Sequence, residues 1–497
     1  MDNKKLILQQ NLDEIKNLMG NGIQLVTKNF VMGSKEPIEA CIIYVNGLIN
    51  KDMIDRDILN PLMLHIEENL SGIPQIEDYV CKRYITISNT QLEKDINKAV
   101  DAVKRGKTLM LIQESSSFII IDTTGGNFRA ISDPMNETSV RGPRDSFIEN
   151  LETNLSIIRR RLKDRNLKME TLTLGVRSQT DVVITYIDDI VDKNLLKRVK
   201  DRIQAIDVDS VLASSTIEQL IEEHPYSIFP QSFATERPDI VEANLLEGRI
   251  ALVVEGAPFV VTLPSLFVDF FQTVEDYYHR TIVASFTRII KSIAVFIVIT
   301  LSSVYITLIK FNSELIPLTF IQSIIESRKG IALTPFMSIL SMNLVIEFLR
   351  EGGLRLPSKI GQTVSVVGGI IIGDAALKAK IVSSLTLLIV GVTTTASFLI
   401  PSYEMSLSIR MINYPMIILA NWLGALGIAI GWFFLIAYLC ALDSYGVPYL
   451  SFHKSDLKDI FIRAPIWKMN KRPEAVPNNN PIRQKNFRWK FRRGKNG

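Results

Sequence analysis

The sequence predicts an α/β duplicated N-terminal soluble region followed by an all-α transmembrane region with about four spans plus re-entrant segments. Three observations lead to this fold class. Charged residues recur every few positions up to about Arg288 and then give way to long uncharged apolar runs. A segment of the first half recurs about 142 positions later. The residues that follow Leu442 are strongly basic.

The N-terminal half contains an internal repeat. Residues 41–51 resemble residues 183–193, and each segment is an apolar run, a polar turn and the start of a helix. Tyrosine and lysine occupy matching positions in the two copies. Because similarity at a fixed offset indicates repeated structural units, we expect two α/β subdomains, residues 1–135 and 136–285.

A second pair of segments supports the repeat. Residues 109–114 followed by 118–120 resemble residues 251–255 followed by 259–261. Each pair has the pattern of a strand, a tight turn and a returning strand, which predicts a β-hairpin. The expected order within each subdomain is therefore strand, helices, hairpin.

Long uncharged stretches predict membrane-spanning helices in residues 286–445. A helix needs roughly 20 apolar residues to cross a hydrocarbon layer of about 30 Å. The 32-residue run 411–442 predicts one long tilted span, whereas 315–325 is too short to cross. The predicted spans are 292–309, 331–346, 381–403 and 411–442.

Charge placement predicts the orientation. The tail, residues 446–497, carries a large excess of lysine and arginine, which places it in the cytoplasm by the positive-inside rule. Arg288 and Lys291 place the N-terminal half on the same side. Both ends inside require an even number of crossings, and four crossings put Arg350 inside and Arg410 in an outer turn.

The glycine-rich segment 361–373 is the candidate pore or cavity lining. Its thirteen residues suit a half-helix that enters and leaves on one face, and broken backbone at membrane depth survives only inside protein or beside water. The alternative is a small-residue surface for helix packing. Candidate pore-lining residues are Thr363, Ser365, Val366, Val367 and Ile370, and candidate packing residues are Gly368 and Gly369.

Polar residues within the predicted spans give a weaker signal. Asn413 and Asn421 are eight positions apart, close to one helix face. Such residues usually face a bundle interior or water, but we interpret this pair mainly as polar glue between helices. Glu347 and Glu404 are expected at membrane interfaces.

No catalytic, metal or cofactor set is evident. The sequence lacks the phosphate-loop, dinucleotide, zinc-protease and serine-hydrolase motifs, and no nucleic-acid partner is expected. Asp188, Asp189 and Asp192 either hold a divalent cation or, as we favour, form a solvated strand end. The arginine run 159–161 is either a patch for membrane surfaces or anions, or a solvated and ion-paired helical face, which we favour.

Features at the chain start and the cysteines predict a cytoplasmic context for the soluble half. The first residues contain no apolar signal core, so secretion by such a signal is not expected. Cys41, Cys81 and Cys440 lie far apart without metal-binding spacing. We interpret them as reduced, mostly buried thiols.

Several motifs together resemble the A-subunit family of GerA-type spore germinant receptors, which includes a related stage V sporulation membrane protein. The resemblance covers residues from about 30 to 480. It rests on residues 141–164, 235–239, 247–249, 275–278, 354–357, 367–373 and 446–450.

The resemblance implies a multi-pass protein of the endospore inner membrane with both termini cytoplasmic. Such A subunits act with a transporter-like B subunit and a lipoprotein C subunit. They are thought to form homo-oligomers around a pore that releases monovalent cations when a nutrient binds. A non-channel scaffold, or a transporter that itself moves substrate, remains an alternative.

Overall fold

The structure is a computed structural model. It describes residues 2–19, 25–33, 37–70, 72–113, 115, 117–125, 134, 137–356, 358–453, 456–460 and 462–485. The chain divides into two compact units. Of the described residues, unit 1 contains those within the ranges 1–222, 232–264 and 471–485, and unit 2 contains those within the ranges 223–231 and 265–470.

Unit 1 contains two five-stranded antiparallel sheets with the same topology. The first has the order β1-β2-β4-β5-β3 and the second β6-β7-β9-β10-β8. The strands of the first sheet are β1 (Leu25–Met32), β2 (Ile38–Val45), β3 (Thr90–Glu93), β4 (Thr108–Ile112) and β5 (Phe118–Ile121). Those of the second are β6 (Leu167–Leu174), β7 (Thr180–Ile187), β8 (Phe233–Thr235), β9 (Ile250–Val254) and β10 (Val260–Leu263).

The internal repeat corresponds to this repeated sheet. β1 begins at Leu25 and β6 at Leu167, and the same offset of 142 positions relates the starts of β2 and β7, β4 and β9, and β5 and β10. The paired strands β4–β5 and β9–β10 are the two predicted hairpins. The prediction of two N-terminal α/β subdomains is confirmed.

Helices cover the sheets. Their ranges are α1 (Asp2–Met19), α2 (Lys51–Ile54), α3 (Asn60–Leu64), α4 (Ile76–Arg83), α5 (Ile96–Lys104), α6 (Leu151–Arg161), α7 (Lys193–Gln204), α8 (Ser214–Ile221) and α9 (Pro238–Glu247), with a π-helical turn, Asp55–Leu59, between α2 and α3. Asn50 and Asp192, 142 positions apart, cap α2 and α7 by accepting hydrogen bonds from backbone amides. The polar turn of the repeat thus starts a helix in both copies.

Alternating side chains give the first sheet two buried faces. Ile42 and Met110 pack with the side chains of α3 and α4, whereas Cys41 and Leu109 pack with those of α1 and α5. Because successive side chains of a strand point to opposite faces, an uninterrupted apolar strand such as β4 can supply both cores.

Unit 2 is helical. Its helices are α10 (Glu275–Tyr278), α11 (Thr281–Lys310), α12 (Leu318–Arg328), α13 (Pro335–Leu354), α14 (Ser358–Lys378), α15 (Ser384–Ser397), α16 (Tyr403–Leu423), α17 (Ala425–Ala441) and α18 (Leu457–Ile460). A short hairpin of β11 (Asp443–Ser444) and β12 (Val447–Pro448) follows α17. Among the described residues, α11 is the one helix with both the length and the apolar composition to cross a membrane, and α15 and α17 are shorter apolar helices.

Contacts at the end of α11 show the directions in which two neighbouring helices run. The hydroxyls of Tyr305 and Thr386 lie 3.0 Å apart, so the last turns of α11 meet the first turn of α15. Lys310 Nζ donates to the Asn421 carbonyl at 2.7 Å, so α11 and α16 end together. Helix α15 is therefore antiparallel to α11, and α16 is parallel to it.

Helices α13 and α15 run in the same direction. Near the start of both, Ser338 Oγ donates to the Ile381 carbonyl at 3.5 Å. Near the end of both, Arg350 Nη2 donates to Ser397 Oγ at 2.7 Å. The four-crossing prediction had these two segments run in opposite directions, and the structure corrects it: α14 returns the chain between them.

The structure corrects two further predictions about the predicted transmembrane region. The run 411–442 is not one helix, because the chain reverses at Gly424, whose φ of +59° suits glycine. The segment 361–373 is not a thirteen-residue half-helix, because it lies within the 21-residue helix α14. The apolar piece 315–325 falls mostly in α12, whose residues are largely exposed.

Part of the predicted tail 446–497 belongs to unit 1. Arg472 Nε donates to the Leu246 carbonyl at 2.6 Å, and the Asn479 amide donates to the Ile190 carbonyl at 2.8 Å. Val191 and Asn478 form an isolated antiparallel bridge. Residues 471–485 therefore pack against the second α/β subdomain.

Candidate pore helix and charged clusters

Helix α14 presents an exposed apolar face. Val366 is 58% exposed, Val367 47%, Ile370 67% and Ile371 61%. These four residues fall at positions i, i+1, i+4 and i+5, which lie on one side of a helix. The candidate residues Thr363 and Ser365 belong to the same helix, but their side chains lie outside the described residues.

The glycines of α14 differ in their surroundings. A Cβ added at Gly368 would lie 3.1 Å from Leu349 Cδ2 of α13, and one at Gly373 would lie 3.6 Å from Leu387 Cδ2 of α15. No described atom lies within 4 Å of such a Cβ at Gly369. Gly368 and Gly373 therefore face neighbouring helices, whereas Gly369 is exposed and contacts no other helix among the described residues.

The two candidate asparagines of α16 have different partners. Asn421 Oδ1 accepts a hydrogen bond from Lys310 Nζ of α11 at 3.0 Å. Asn413 is 5% exposed, and its Oδ1 has no hydrogen-bond partner in the described part of the chain. The first asparagine thus joins two helix ends, and the second faces a buried polar cluster.

That cluster joins α13 and α16. Arg410 Nε lies 3.1 Å from Glu347 Oε1, and Arg350 Nη1 lies 3.8 Å from the same oxygen. The sequence predicts Arg350 inside, Arg410 in an outer turn and Glu347 at an interface; the structure brings all three together. The signal that could have identified the cluster is that Arg350 and Arg410 lie beside predicted spans, where a cation needs a carboxylate partner.

A second charged cluster stands at the start of α11. Asp276 is 3% exposed, and it lies 3.1 Å from Arg288 Nε and 3.3 Å from Lys291 Nζ. Arg288 also pairs with Asp459 at 2.7 Å. The guanidinium groups of Arg288 and Arg463 lie 5.3 and 5.4 Å from the centre of the Tyr277 ring, within cation–π distance.

In unit 1, residues 235–239 anchor the segment that joins the two subdomains. Arg237 is 4% exposed, pairs with Asp239 at 2.7 Å and donates to the carbonyls of Glu137 and Pro143. Thr235 Oγ1 donates to Glu137 Oε2 at 2.5 Å. Burial, opposed by the Thr235 hydrogen bond and reinforced by the nearby Glu236 carboxylate, raises the pKa of Glu137 to about 7.

The Glu137 carboxyl predicts pH-dependent stability. Its folded-state pKa of about 7 exceeds the ordinary value of 4.5, so the folded chain binds its proton more tightly than the unfolded chain. This contribution is complete below about pH 4.5 and is lost as pH rises through about 7, a change of up to about 3 kcal/mol that partial solvent exposure reduces.

We expect Glu137→Gln to flatten the fall in melting temperature between about pH 5 and pH 8, because glutamine stays neutral. Differential scanning fluorimetry of the full chain in detergent measures this. The exposed Glu149→Gln is the control, and equal pH profiles for wild type and Glu137→Gln would contradict the assignment.

Other residues singled out in the sequence take part in local contacts. Arg161 is ion-paired with Asp145 at 2.6 Å and with Glu242 at 3.2 Å. Asp188 pairs with Lys193 at 2.5 Å. No cluster of histidine, cysteine or carboxylate side chains that could hold a metal occurs among the residues that the structure describes.

Comparison with known proteins identifies the family. The family profile described as "Bacillus/Clostridium GerA spore germination protein" matches residues 13–475. The chain is 37% identical to spore germination protein KA of Bacillus subtilis (strain 168), over 96% of this chain and 88% of that protein. It is 36% identical to the uncharacterized membrane protein YfkQ of the same organism, over 95% and 92%.

One solved structure is also similar. It is the crystal structure of the N-terminal domain of the A subunit of the Bacillus megaterium spore germinant receptor GerK3, with 29% identity, a TM-score of 0.41, and coverage of 52% of this chain and 95% of that one. The family profile spans nearly the whole sequence, and the relatives align over most of their own length. The chain therefore belongs to the GerA family of spore germination proteins.

Proposed function

We propose that this chain is the A subunit of a nutrient germinant receptor in the spore inner membrane, and that it oligomerises so that α14 helices surround a pore for monovalent cations. The exposed apolar face of α14 is the observation that carries this proposal. Val366, Val367, Ile370 and Ile371 are all about half exposed or more, although Gly368 of the same helix packs against α13 and Gly373 packs against α15.

An apolar ring suits a gated pore. A narrow pore lined by apolar side chains excludes water and ions until it widens. Copies of α14 around an axis would place Val367 and Ile370 toward the centre. Monovalent cations would then pass only when nutrient binding moves the helices apart, and the subunit would need no catalytic group.

The helix directions support a membrane region with six crossings. Helices α11, α13, α14, α15, α16 and α17 alternate in direction, which leaves both ends of the region on one side. The basic residues that follow α17 make that side cytoplasmic by the positive-inside rule. Helix α15 has 14 residues and is shorter than α14 and α16, the helices before and after it in the chain.

We propose that the partners are a transporter-like B subunit that senses the nutrient and a lipoprotein C subunit. Family membership and the similarity to a spore germination protein support this. A scaffold role in which the pore lies in another protein is the second candidate. It predicts that changes on the open face of α14 leave ion release unaffected.

Cysteine labelling tests the pore. We expect Val367→Cys, in a Cys440→Ser background, to react with a charged thiol reagent in spores or proteoliposomes of the assembled receptor and to lose cation flux upon labelling. Native Cys41 and Cys81 will interfere little, because burial raises the pKa of Cys41 to about 11 and that of Cys81 to about 12.

Leu388→Cys on α15 is the matched control. Leu388 is 60% exposed, as apolar as Val367, and lies on a different helix. If Leu388→Cys and Val367→Cys behave alike, or if labelling of Val367→Cys leaves flux unchanged, α14 does not line the pore.

A further inference from the structure

The charged cluster between α13 and α16 encloses a small cavity. Glu347, Arg350, Arg410 and Asn413 contribute to its lining, and α15 contributes Thr393. The two arginine side chains are 16% and 15% exposed. The cavity volume of about 20 Å³ is enough for one water-sized particle.

Unpartnered donors dominate the lining. Arg350 Nε and Nη1, Arg410 Nε and Asn343 Nδ2 are buried, and none of them makes an aligned hydrogen bond to any described residue. Arg410 Nε is close to Glu347 Oε1 but lacks hydrogen-bond alignment. Each buried hydrogen-bond donor without an acceptor lowers the stability of the fold. A hydrogen-bond acceptor bound in the cavity would remove this cost.

The cluster also carries excess positive charge. Two guanidinium groups face one carboxylate, that of Glu347. The neighbouring acid Glu351 is exposed and paired with Arg355 at 3.0 Å. The remaining lining of α11, α15 and α16 is uncharged, namely Val298, Thr393, Thr394, Ser397 and Tyr414. An uncompensated charge inside a helical bundle is costly.

We propose that this cavity binds one small monovalent anion, of the size of chloride. The anion would accept hydrogen bonds from Arg350, Arg410 and Asn343 and would neutralise the excess charge. The Asn413 amide can rotate to direct its Nδ2 toward the anion, since no described residue fixes its Oδ1 and the choice of amide orientation is free.

The size and charge of the site exclude other occupants. A cation would add to the positive charge, and an amino acid exceeds a volume of about 20 Å³. A water molecule fits the volume but leaves the charge uncompensated. The anion would tie α13 to α16, so its binding stabilises the bundle independently of the proposed pore role of α14.

Chloride binding to the purified full chain in detergent tests the proposal. We expect replacement of gluconate by chloride, at constant ionic strength, to raise the melting temperature saturably, as for any ligand that binds the folded state. Equilibrium dialysis with radiolabelled chloride should give a single site per chain. Arg350→Gln should abolish both effects, whereas Arg355→Gln, on the exposed end of α13, should retain them.

A second variant keeps the test informative if the first one misfolds. If Arg350→Gln does not fold, Asn413→Leu replaces a neutral lining residue and should weaken chloride binding at least tenfold. Equal melting temperatures in the two salts without dialysable chloride would mean that the cavity holds water only, which overturns the proposal. Unchanged chloride binding in Asn413→Leu and Arg350→Gln would place the ion elsewhere and overturn it equally.

Discussion

Gly427→Ala should abolish the stable α16–α17 hairpin. A Cβ at Gly427 would lie 2.1 Å from the Leu419 carbonyl oxygen and 2.6 Å from its carbonyl carbon. These are backbone atoms of the preceding helix, so no side-chain rotation can relieve the clash. Overpacking costs typically about 1–3 kcal/mol even where side chains can move, and we expect a loss at or above the top of that range.

Thermal unfolding and membrane yield of the full chain measure the effect. Gly391→Ala on α15 is the matched control, because no described atom lies within 4 Å of a Cβ at that position. Alanine there should also gain slightly in helix propensity. Equal yields and melting temperatures for the two variants would show that Gly427 of α17 does not lie against the Leu419 carbonyl of α16.

This hairpin shows why the helical C-terminal region was harder to predict than the sheets. The run 411–442 is uncharged and mostly apolar, and hydropathy alone does not distinguish one long helix from two short ones. The deciding features are Gly424, where the chain reverses, and Gly427, where the helices touch. Both features depend on contact between parts of the folded chain. A glycine in the sequence therefore indicates a break only once its partner helix is known.

The sheets were predictable because their signals are local and appear twice. Strand, polar turn and cap recur at the same offset, and Asn50 and Asp192 each begin a helix in the expected place. Apolar runs such as 108–112 have no alternation because both of their faces are buried. Duplication therefore compensated for the ambiguity of each short apolar run.

The pairings within the charged clusters were not predicted from the sequence, because the paired residues are distant in the chain. Glu347 and Arg410 are 63 positions apart, and their contact depends on α13 and α16 lying side by side. The four-crossing prediction separated them. Because α14 returns the chain once more, α16 runs opposite to its predicted direction and brings Arg410 to Glu347. The topology error and the missed site therefore have the same origin.

Arg288→Met should strongly destabilise unit 2. Arg288 is 3% exposed and pairs with both Asp276 and Asp459, so its loss leaves Asp276 with Lys291 alone and releases Asp459. Removal of one member of a buried ion pair typically costs about 3–5 kcal/mol. The exposed Arg280→Met, immediately before the start of α11, should change stability by less than about 0.5 kcal/mol.

Limited proteolysis distinguishes the loss of the contacts made by Arg288 and Arg463, which we call the clamp, from general unfolding of the chain. Arg288 donates to the backbone and side chain of Asp459, and Arg463 donates to the carbonyls of Tyr277 and His279. Arg288→Met removes only the first set of bonds, so the chain around exposed Lys458 should become a preferred trypsin site below the melting temperature. A double-mutant cycle with Asp459→Asn should show strong coupling, because each change disrupts the same pair. Additive effects, or trypsin cleavage as slow as in Arg280→Met, would mean that the clamp does not hold the C-terminal segment against α11.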